Sequence, residues 1–186
     1  MSATSKSMVK DSKLLSLVLR HAPEKAGLQL GDGGWVNVSE LLSGLASMNC
    51  NMTRERLQTI VDNNDKKRFT LSDDGLQIRA AQGHSVKIKH DMKAVLPPEK
   101  LFHGTATRFI DSIKSGGLKP MSRQHVHLSI DTDTAQKVGR RHGKPIILVV
   151  QSEKMSEDGH EFYLSDNGVW LTDSVPVEYI NFEAEA

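Results

Sequence analysis

Residues 68–81 read RFTLSDDGLQIRAA, and this stretch decides how the first half of the chain is built. Two short strand-prone runs flank Asp73-Asp74-Gly75, a β-hairpin signal because glycine tolerates the positive φ that tight turns require. Upstream, MTRERLQTIVDNN (52–64) sets Leu57, Ile60 and Val61 at helical spacing behind Thr53, a good N-cap. VSELLSGLASM (38–48) predicts a second helix with Ser39 as its cap, after the turn cluster GDGGW (31–35). DSKLLSLVLRH (11–21) predicts a first helix with Leu14, Leu17, Val18 and His21 on one face. Three helices followed by a hairpin are the parts of a winged-helix domain, which meets nucleic acid in many proteins and is a neutral scaffold in others.

Past HDMKAVLPPEK (90–100), which reads as a linker broken by Pro97-Pro98, the pattern turns to strands. They are KLFHGT, HVHLSI, PIILVVQ, EFYLSDNGVWL and VPVEYINFE. Two helix-like segments interrupt them: ATRFIDSIKSGGL, ending at Gly116-Gly117, and TDTAQKVGRRHG, beginning near Asp131–Asp133 and ending at Gly143. The expectation is an α+β protein of two lobes, 1–92 and 93–186, the second carrying a curved or split sheet.

The bulk numbers narrow the function. The chain has 186 residues, 38% of them hydrophobic and 25% charged, which is ordinary for a soluble globular protein. No apolar run approaches the roughly 20 residues of a membrane span. The start, MSATSKSMVK, lacks the apolar stretch of a signal peptide, and the single Cys50 rules out an internal disulfide. Both point to the cytoplasm, or to the nucleus if the source is eukaryotic. Net charge is +1, so anion recognition has to be concentrated at a few positions rather than spread over a basic surface.

Each candidate position has a bland reading beside a functional one. Arg20-His21 closes the first helix just before Pro23, where cations suit the macrodipole and free carbonyls. Yet His21 continues an apolar face, so its imidazole needs a partner. In DKKRF, Lys66 and Lys67 read as a solvated turn, while Arg68 at a strand start is a better phosphate clamp. Gln82, Gly83, His84 and Ser85 form either a plain turn or an element at the joint between the halves. In FHGT, His103 and Thr105 supply hydrogen bonds and Gly104 permits close backbone approach, or His103 merely ends a strand. In SRQHVHLS, His125 and His127 share a strand face, which invites a metal, but no third ligand is evident. The other readings are an alternating strand, or Arg123 as an anion contact beside Ser129. GRRHG fits a helix end with a secondary chance of RNA contact, and Trp170 fits core or pocket wall. No P-loop, dinucleotide-type glycine loop or nucleophile elbow is present.

Taken in order, LSLVLRHAP, Gly34-Trp35, DKKRF, IRAAQGHS, LFHGTA, HVHLS and NGVWLT resemble the RNA 2′-phosphotransferase family, from about residue 10 to about residue 182. The resemblance implies a winged-helix-like N-terminal lobe and a C-terminal lobe of ADP-ribosyltransferase type. It implies NAD as co-substrate and 2′-phosphorylated RNA as partner; with no third ligand evident no metal is expected, and a monomer is the simplest expectation. In that family the 2′-phosphate attacks the nicotinamide-bearing ribose carbon, nicotinamide leaves, and an adjacent ribose hydroxyl then attacks the phosphate. The products are 2′-OH RNA and ADP-ribose 1″,2″-cyclic phosphate. The family's Arg-His-Arg-Arg group falls on Arg20, His21, Arg68 and Arg123, and its NAD contacts fall on His103, Gly104, Thr105 and Ser129. Two rivals remain: an ADP-ribosyltransferase that stops after the first step, and a winged-helix protein that binds RNA without catalysis.

Overall fold

The computed structural model describes residues 3–64 and 66–182. Asp65 of DKKRF and Glu183 of the last strand-like run lie outside the described residues. The chain divides into two compact units, Met1–Asp91 and Met92–Ala186, and mixes helices with small antiparallel sheets in both.

In the first unit, helix α1 (Ala3–Arg20) precedes α2 (Val38–Ser47) and α3 (Arg54–Asp62). Strands β1 (Val36–Asn37), β2 (Phe69–Leu71) and β3 (Gln77–Ala80) pair antiparallel in the order β1-β3-β2. The hairpin is where RFTLSDDGLQIRAA places it: Phe69 faces Ala80 and Leu71 faces Ile78, with Gly75 at φ 68° in the turn. Ser72 and Asp74 lock that turn, the Ser72 hydroxyl donating to Asp74 at 2.6 Å and the Leu76 N–H to the same carboxylate at 2.9 Å.

Three expectations need correction. Helix α1 starts at Ala3 rather than near residue 11, because Arg56 of α3 holds its early turns, donating to Asp11 at 2.8 Å and to the Ser7 hydroxyl at 2.8 Å. Its fully buried stripe is Leu15, Val18 and Leu19, while His21 lies beyond the helix and is exposed. Each of those buried side chains is worth about 1.5–3 kcal/mol, so the core sets the rotation of the helix and leaves Arg20 and His21 at its rim. The cap of α2 is Asn37, which accepts from the Ser39 N–H at 2.9 Å, rather than Ser39. Thr53 caps α3 as expected, accepting from Arg56 N–H at 3.2 Å.

In the second unit, β4 (Leu101–Ala106), β6 (Pro145–Val150) and β9 (Ile180–Asn181) form one antiparallel sheet in the order β4-β6-β9. Strands β5 (Val126–Leu128), β7 (Tyr163–Leu164) and β8 (Trp170–Thr172) form another, in the order β5-β8-β7. The sheets meet where Phe102 and Ser129 exchange backbone hydrogen bonds of 2.8 and 2.7 Å. Leu101, Leu128, Leu148, Met155 and Phe162 are buried in the common core.

Three helices complete the unit: α4 (Ile110–Gly116), α5 (Thr132–Gly139) and α6 (Ser152–Glu157). The six-residue α6 carries too short a pattern to be read from sequence. Helix α5, capped by Asp131 on the Thr134 N–H at 2.7 Å, packs flush on β4. A Cβ on Gly104 would lie 1.6 Å from the Ala135 carbonyl oxygen, and one on Gly139 would lie 2.6 Å from that of Thr105. The chain around Pro97-Pro98 is tied to this unit: Val95 N–H donates to Phe162 O at 2.8 Å and the Ser152 hydroxyl to Pro98 O at 2.7 Å.

Candidate functional site

The first unit gathers four of the singled-out residues from three parts of the chain. Arg20 is the last residue of α1, and its guanidinium Nη2 donates to the Arg68 carbonyl at 3.3 Å. That carbonyl also accepts from Ala81 N–H at 2.9 Å, so β2 and the chain leaving β3 fix the point to which Arg20 is attached. The Arg68 side chain, half-buried, is steadied by Nη1 donating to Asn64 Oδ1 at 3.3 Å. Asn64 lies just past the C-cap of α3 and was not a sequence candidate. Nothing in a polar residue after a helix distinguishes it from an ordinary turn residue.

The segment 82–91 then returns across the unit. Gly83 takes φ 87°, a left-handed value that glycine adopts without strain. His84 is buried at 7% exposure, its ring occupying the place where a Gly34 side chain would project (2.8 Å from an added Cβ to Nε2). Ser85 N–H donates to Arg20 O at 2.9 Å, Val86 N–H to the same carbonyl at 3.3 Å, and Ser85 Oγ meets His21 Nδ1 at 2.9 Å. Further along, Gly33 N–H donates to Lys89 O at 2.7 Å, and Asp91 takes both of its hydrogen bonds from Arg79 Nη1 at 3.0 Å. The Arg79 guanidinium lies over the Trp35 ring at 4.5 Å. The helix-end reading of Arg20-His21 therefore holds together with a built polar cluster: α1 stops, and a returning segment satisfies its last carbonyl. Lys67 is exposed and joins through its backbone, its N–H donating to Asn64 O at 2.7 Å, and Gln82 is half-exposed.

In the second unit a histidine-arginine chain links β4 to β5. His103 Nδ1 lies 3.0 Å from the His127 carbonyl, an acceptor only, so Nδ1 carries the proton and Nε2 is the basic nitrogen. Burial pushes the His103 imidazole below its ordinary value, and the neighbouring Arg123 and His142 add to this against the opposing carbonyl hydrogen bond. Arg123 Nη1 lies 2.9 Å from His127 Nδ1; a guanidinium only donates, so His127 Nδ1 accepts. Burial first and Arg141 second lower the Arg123 pKa, yet a guanidinium keeps its charge. His125 turns to other partners, 5.8 Å between ring centroids from Tyr163 and 3.7 Å from Asp173 Oδ1. Among the described residues no group of three or more His, Cys, Asp or Glu side chains is placed to hold a metal ion.

Gly104 and Thr105 show a structural duty that sequence reading missed. Gly104 lacks a side chain because the Ala135 backbone lies against it, and Thr105 is buried at 7% exposure. Gly139 approaches β4 equally closely, so the basic turn Arg140–His142 follows from a fixed point. The proximity of Arg141 and His142 to Arg123 and His103 was also missed, because a helix-end cation and a pocket cation look alike in sequence.

Arg20 and His103 are braced by backbone carbonyls and Arg123 by His127, and guanidinium groups held in this way have the chemistry to bind oxyanions. Comparison with known proteins gives the class a family. The model described as RNA 2′-phosphotransferase, Tpt1 / KptA family, matches residues 6–174. A protein of Pectobacterium carotovorum named probable RNA 2′-phosphotransferase is 57% identical, over 91% of this chain and 92% of its own. Proteins of the same name from Agrobacterium fabrum and Flavobacterium johnsoniae are 53% and 52% identical, covering 94% and 93% of this chain and 94% and 95% of theirs. The chain belongs to the RNA 2′-phosphotransferase family. No helix among the described residues is long and apolar enough to cross a membrane.

Proposed function

We propose that this protein removes an internal 2′-phosphate from RNA in two steps, with NAD⁺ as co-substrate. In the first step a phosphate oxygen attacks the ribose carbon bearing nicotinamide, the C–N bond breaks, and nicotinamide departs. In the second, a hydroxyl of the transferred ribose attacks phosphorus and the RNA 2′-oxygen leaves, taking up a proton to become 2′-OH. ADP-ribose 1″,2″-cyclic phosphate is the other product.

The observation that carries the reading is the bracing of Arg20 against the Arg68 carbonyl, beside His21. The first step needs no base, since its nucleophile is already an anion. The second builds charge on non-bridging phosphate oxygens, and preorganised guanidinium groups are the natural means of stabilising it. Arg20, Arg68 and Arg123 take this role on the 2′-phosphate, and His21 accepts the proton of the attacking ribose hydroxyl.

The residues of β4 and β5 suit NAD⁺, which supplies the activated ribose carbon. A neutral His103 with Nε2 as acceptor fits a ribose hydroxyl, and Thr105 on the same strand and Ser129, bridged to Phe102, carry hydroxyls that can donate and accept. Three helices with a three-stranded sheet support reading the first unit as a winged-helix lobe. Two small sheets joined edge to edge support reading the second as an ADP-ribosyltransferase lobe. The cytoplasm is the proposed compartment and a monomer the proposed state.

The test is a short RNA with one internal 2′-phosphate, incubated with and without NAD⁺. Loss of the phosphate only with NAD⁺, with cyclic ADP-ribose phosphate released, is expected. Arg68→Ala is expected to accumulate ADP-ribosylated RNA. Phosphate loss without NAD⁺ would overturn the co-substrate assignment, and a wild-type enzyme that stops at ADP-ribosylated RNA would overturn the second step.

A further inference from the structure

Ser85 holds the end of α1 with its main chain and the imidazole of His21 with its side chain. The backbone N–H is 2.9 Å from Arg20 O and Oγ is 2.9 Å from His21 Nδ1. Both contacts come from a residue whose own position is set on either side. Gly83 before it takes φ 87°, and His84 is buried where a Gly34 side chain would stand. The segment is pinned again by Gly33 N–H on Lys89 O at 2.7 Å and by the Arg79–Asp91 pair at 3.0 Å. Ser85 Oγ is therefore delivered to His21 by a backbone anchored on both flanks, not by a loose surface turn.

We infer that Ser85 is a positioning residue for His21, its Oγ accepting a hydrogen bond from Nδ1–H so that the ring exchanges its proton at Nε2. The inference rests on the role given to His21 above. A hydroxyl is suited to this task. It accepts from Nδ1–H in the neutral ring and in the imidazolium alike, so the ring keeps its orientation while a proton comes and goes at Nε2. A carboxylate here would accept equally well but would also raise the basicity of the ring and repel an incoming phosphate. Serine orients the imidazole and leaves the anion's field undisturbed.

The test pairs Ser85→Ala with Ser85→Thr in the full chain. The alanine variant keeps the N–H bond to Arg20 O, so the fold retains its clamp, and the threonine variant keeps the hydroxyl. Nitrogen-15 spectra of the histidine rings, with His21 assigned by its loss in His21→Asn, read the tautomer without RNA or NAD⁺. Nδ1–H is expected in the wild type and in Ser85→Thr, and a shift toward Nε2–H in Ser85→Ala. In single-turnover assays on 2′-phosphorylated RNA, Ser85→Ala is expected to slow the second step about tenfold, the scale of one hydrogen bond, with nicotinamide release unchanged. Threonine is expected to restore the second step.

An unchanged His21 tautomer in Ser85→Ala, or equal slowing of both steps with no rescue by threonine, would overturn the positioning role. Failure of the underlying reading looks different: His21→Asn would complete both steps at the normal rate, while the tautomer would still answer to Ser85.

Discussion

Replacing Gly104 by alanine is expected to strain the joint between β4 and α5. The added carbon would lie 1.6 Å from the Ala135 carbonyl oxygen, 2.5 Å from its carbonyl carbon and 3.0 Å from its Cα. Carbon and oxygen atoms approach no closer than about 3.3 Å without penalty, so the helix and strand must part by roughly 1.7 Å. Both partners are backbone, leaving no side chain to swing aside. Overpacking typically costs about 1–3 kcal/mol and sometimes more, and this contact belongs at the upper end, about 3 kcal/mol. That is a large share of a stability of about 5–15 kcal/mol. Gly139→Ala strains the same joint from the helix side, its Cβ falling 2.6 Å from Thr105 O. Once the elements have separated for one methyl, the second is partly accommodated, so the double variant should cost less than the sum by at least about 0.5 kcal/mol. Urea unfolding followed by Trp170 fluorescence, in a Trp35→Phe background that silences the first unit, measures all three variants. A Gly104→Ala cost below about 1 kcal/mol, or strict additivity in the double variant, would refute the flush packing of α5 on β4.

The chain has two tyrosines, and both should ionise late. Burial, then the hydroxyl's 2.7 Å hydrogen bond to Glu161, pushes Tyr163 up to about 12, and Tyr179 is raised by its 2.8 Å bond to Asp158. A raised phenol favours the folded state below about pH 10 and loses that contribution as pH rises toward the folded value. Phenolate absorbance should therefore lag in native protein and return to the ordinary range in urea; identical curves would refute it. His103 has the opposite sign. Its lowered pKa means that only the unfolded chain takes up the proton as pH falls below about 6.5, so stability should drop there. His103→Gln should flatten the acid limb of the melting temperature against pH, and an unaltered limb would show that His103 is not the group responsible.

Patterns local in sequence proved legible. The DDG hairpin, the Thr53 cap and the inward Leu57 and Ile60 follow from turn chemistry, side-chain reach and helical period, all within a few residues. The ends of α1 were not local. Its start depends on Arg56, far along the chain, and its buried stripe on how Leu15, Val18 and Leu19 meet the sheet. Gly104 shows the same limit at the candidate site, where a glycine read as room for a ligand also makes room for a helix. Arg20, His21, Arg68 and Arg123 stood out through resemblance. Ser85, the partner of His21, lies 64 positions away and is set by long-range geometry, whereas Asn64 and His127 lie only four residues from Arg68 and Arg123, in turn and strand segments whose local pattern does not signal the pairing.

The hydrogen bond between His21 and Ser85 spans 64 positions of chain. During synthesis at about 5–20 residues per second, α1 emerges several seconds before the residue that holds its end. A ribosome-bound chain short of residue 85 has its first helix but no oriented imidazole. Contacts of such long separation form only after the intervening loop has been closed at an entropic cost. The imidazole at the end of α1 thus acquires its partner only when the first unit has been translated to its last segment, and a prematurely terminated chain carries Arg20 and His21 without the contacts that hold them.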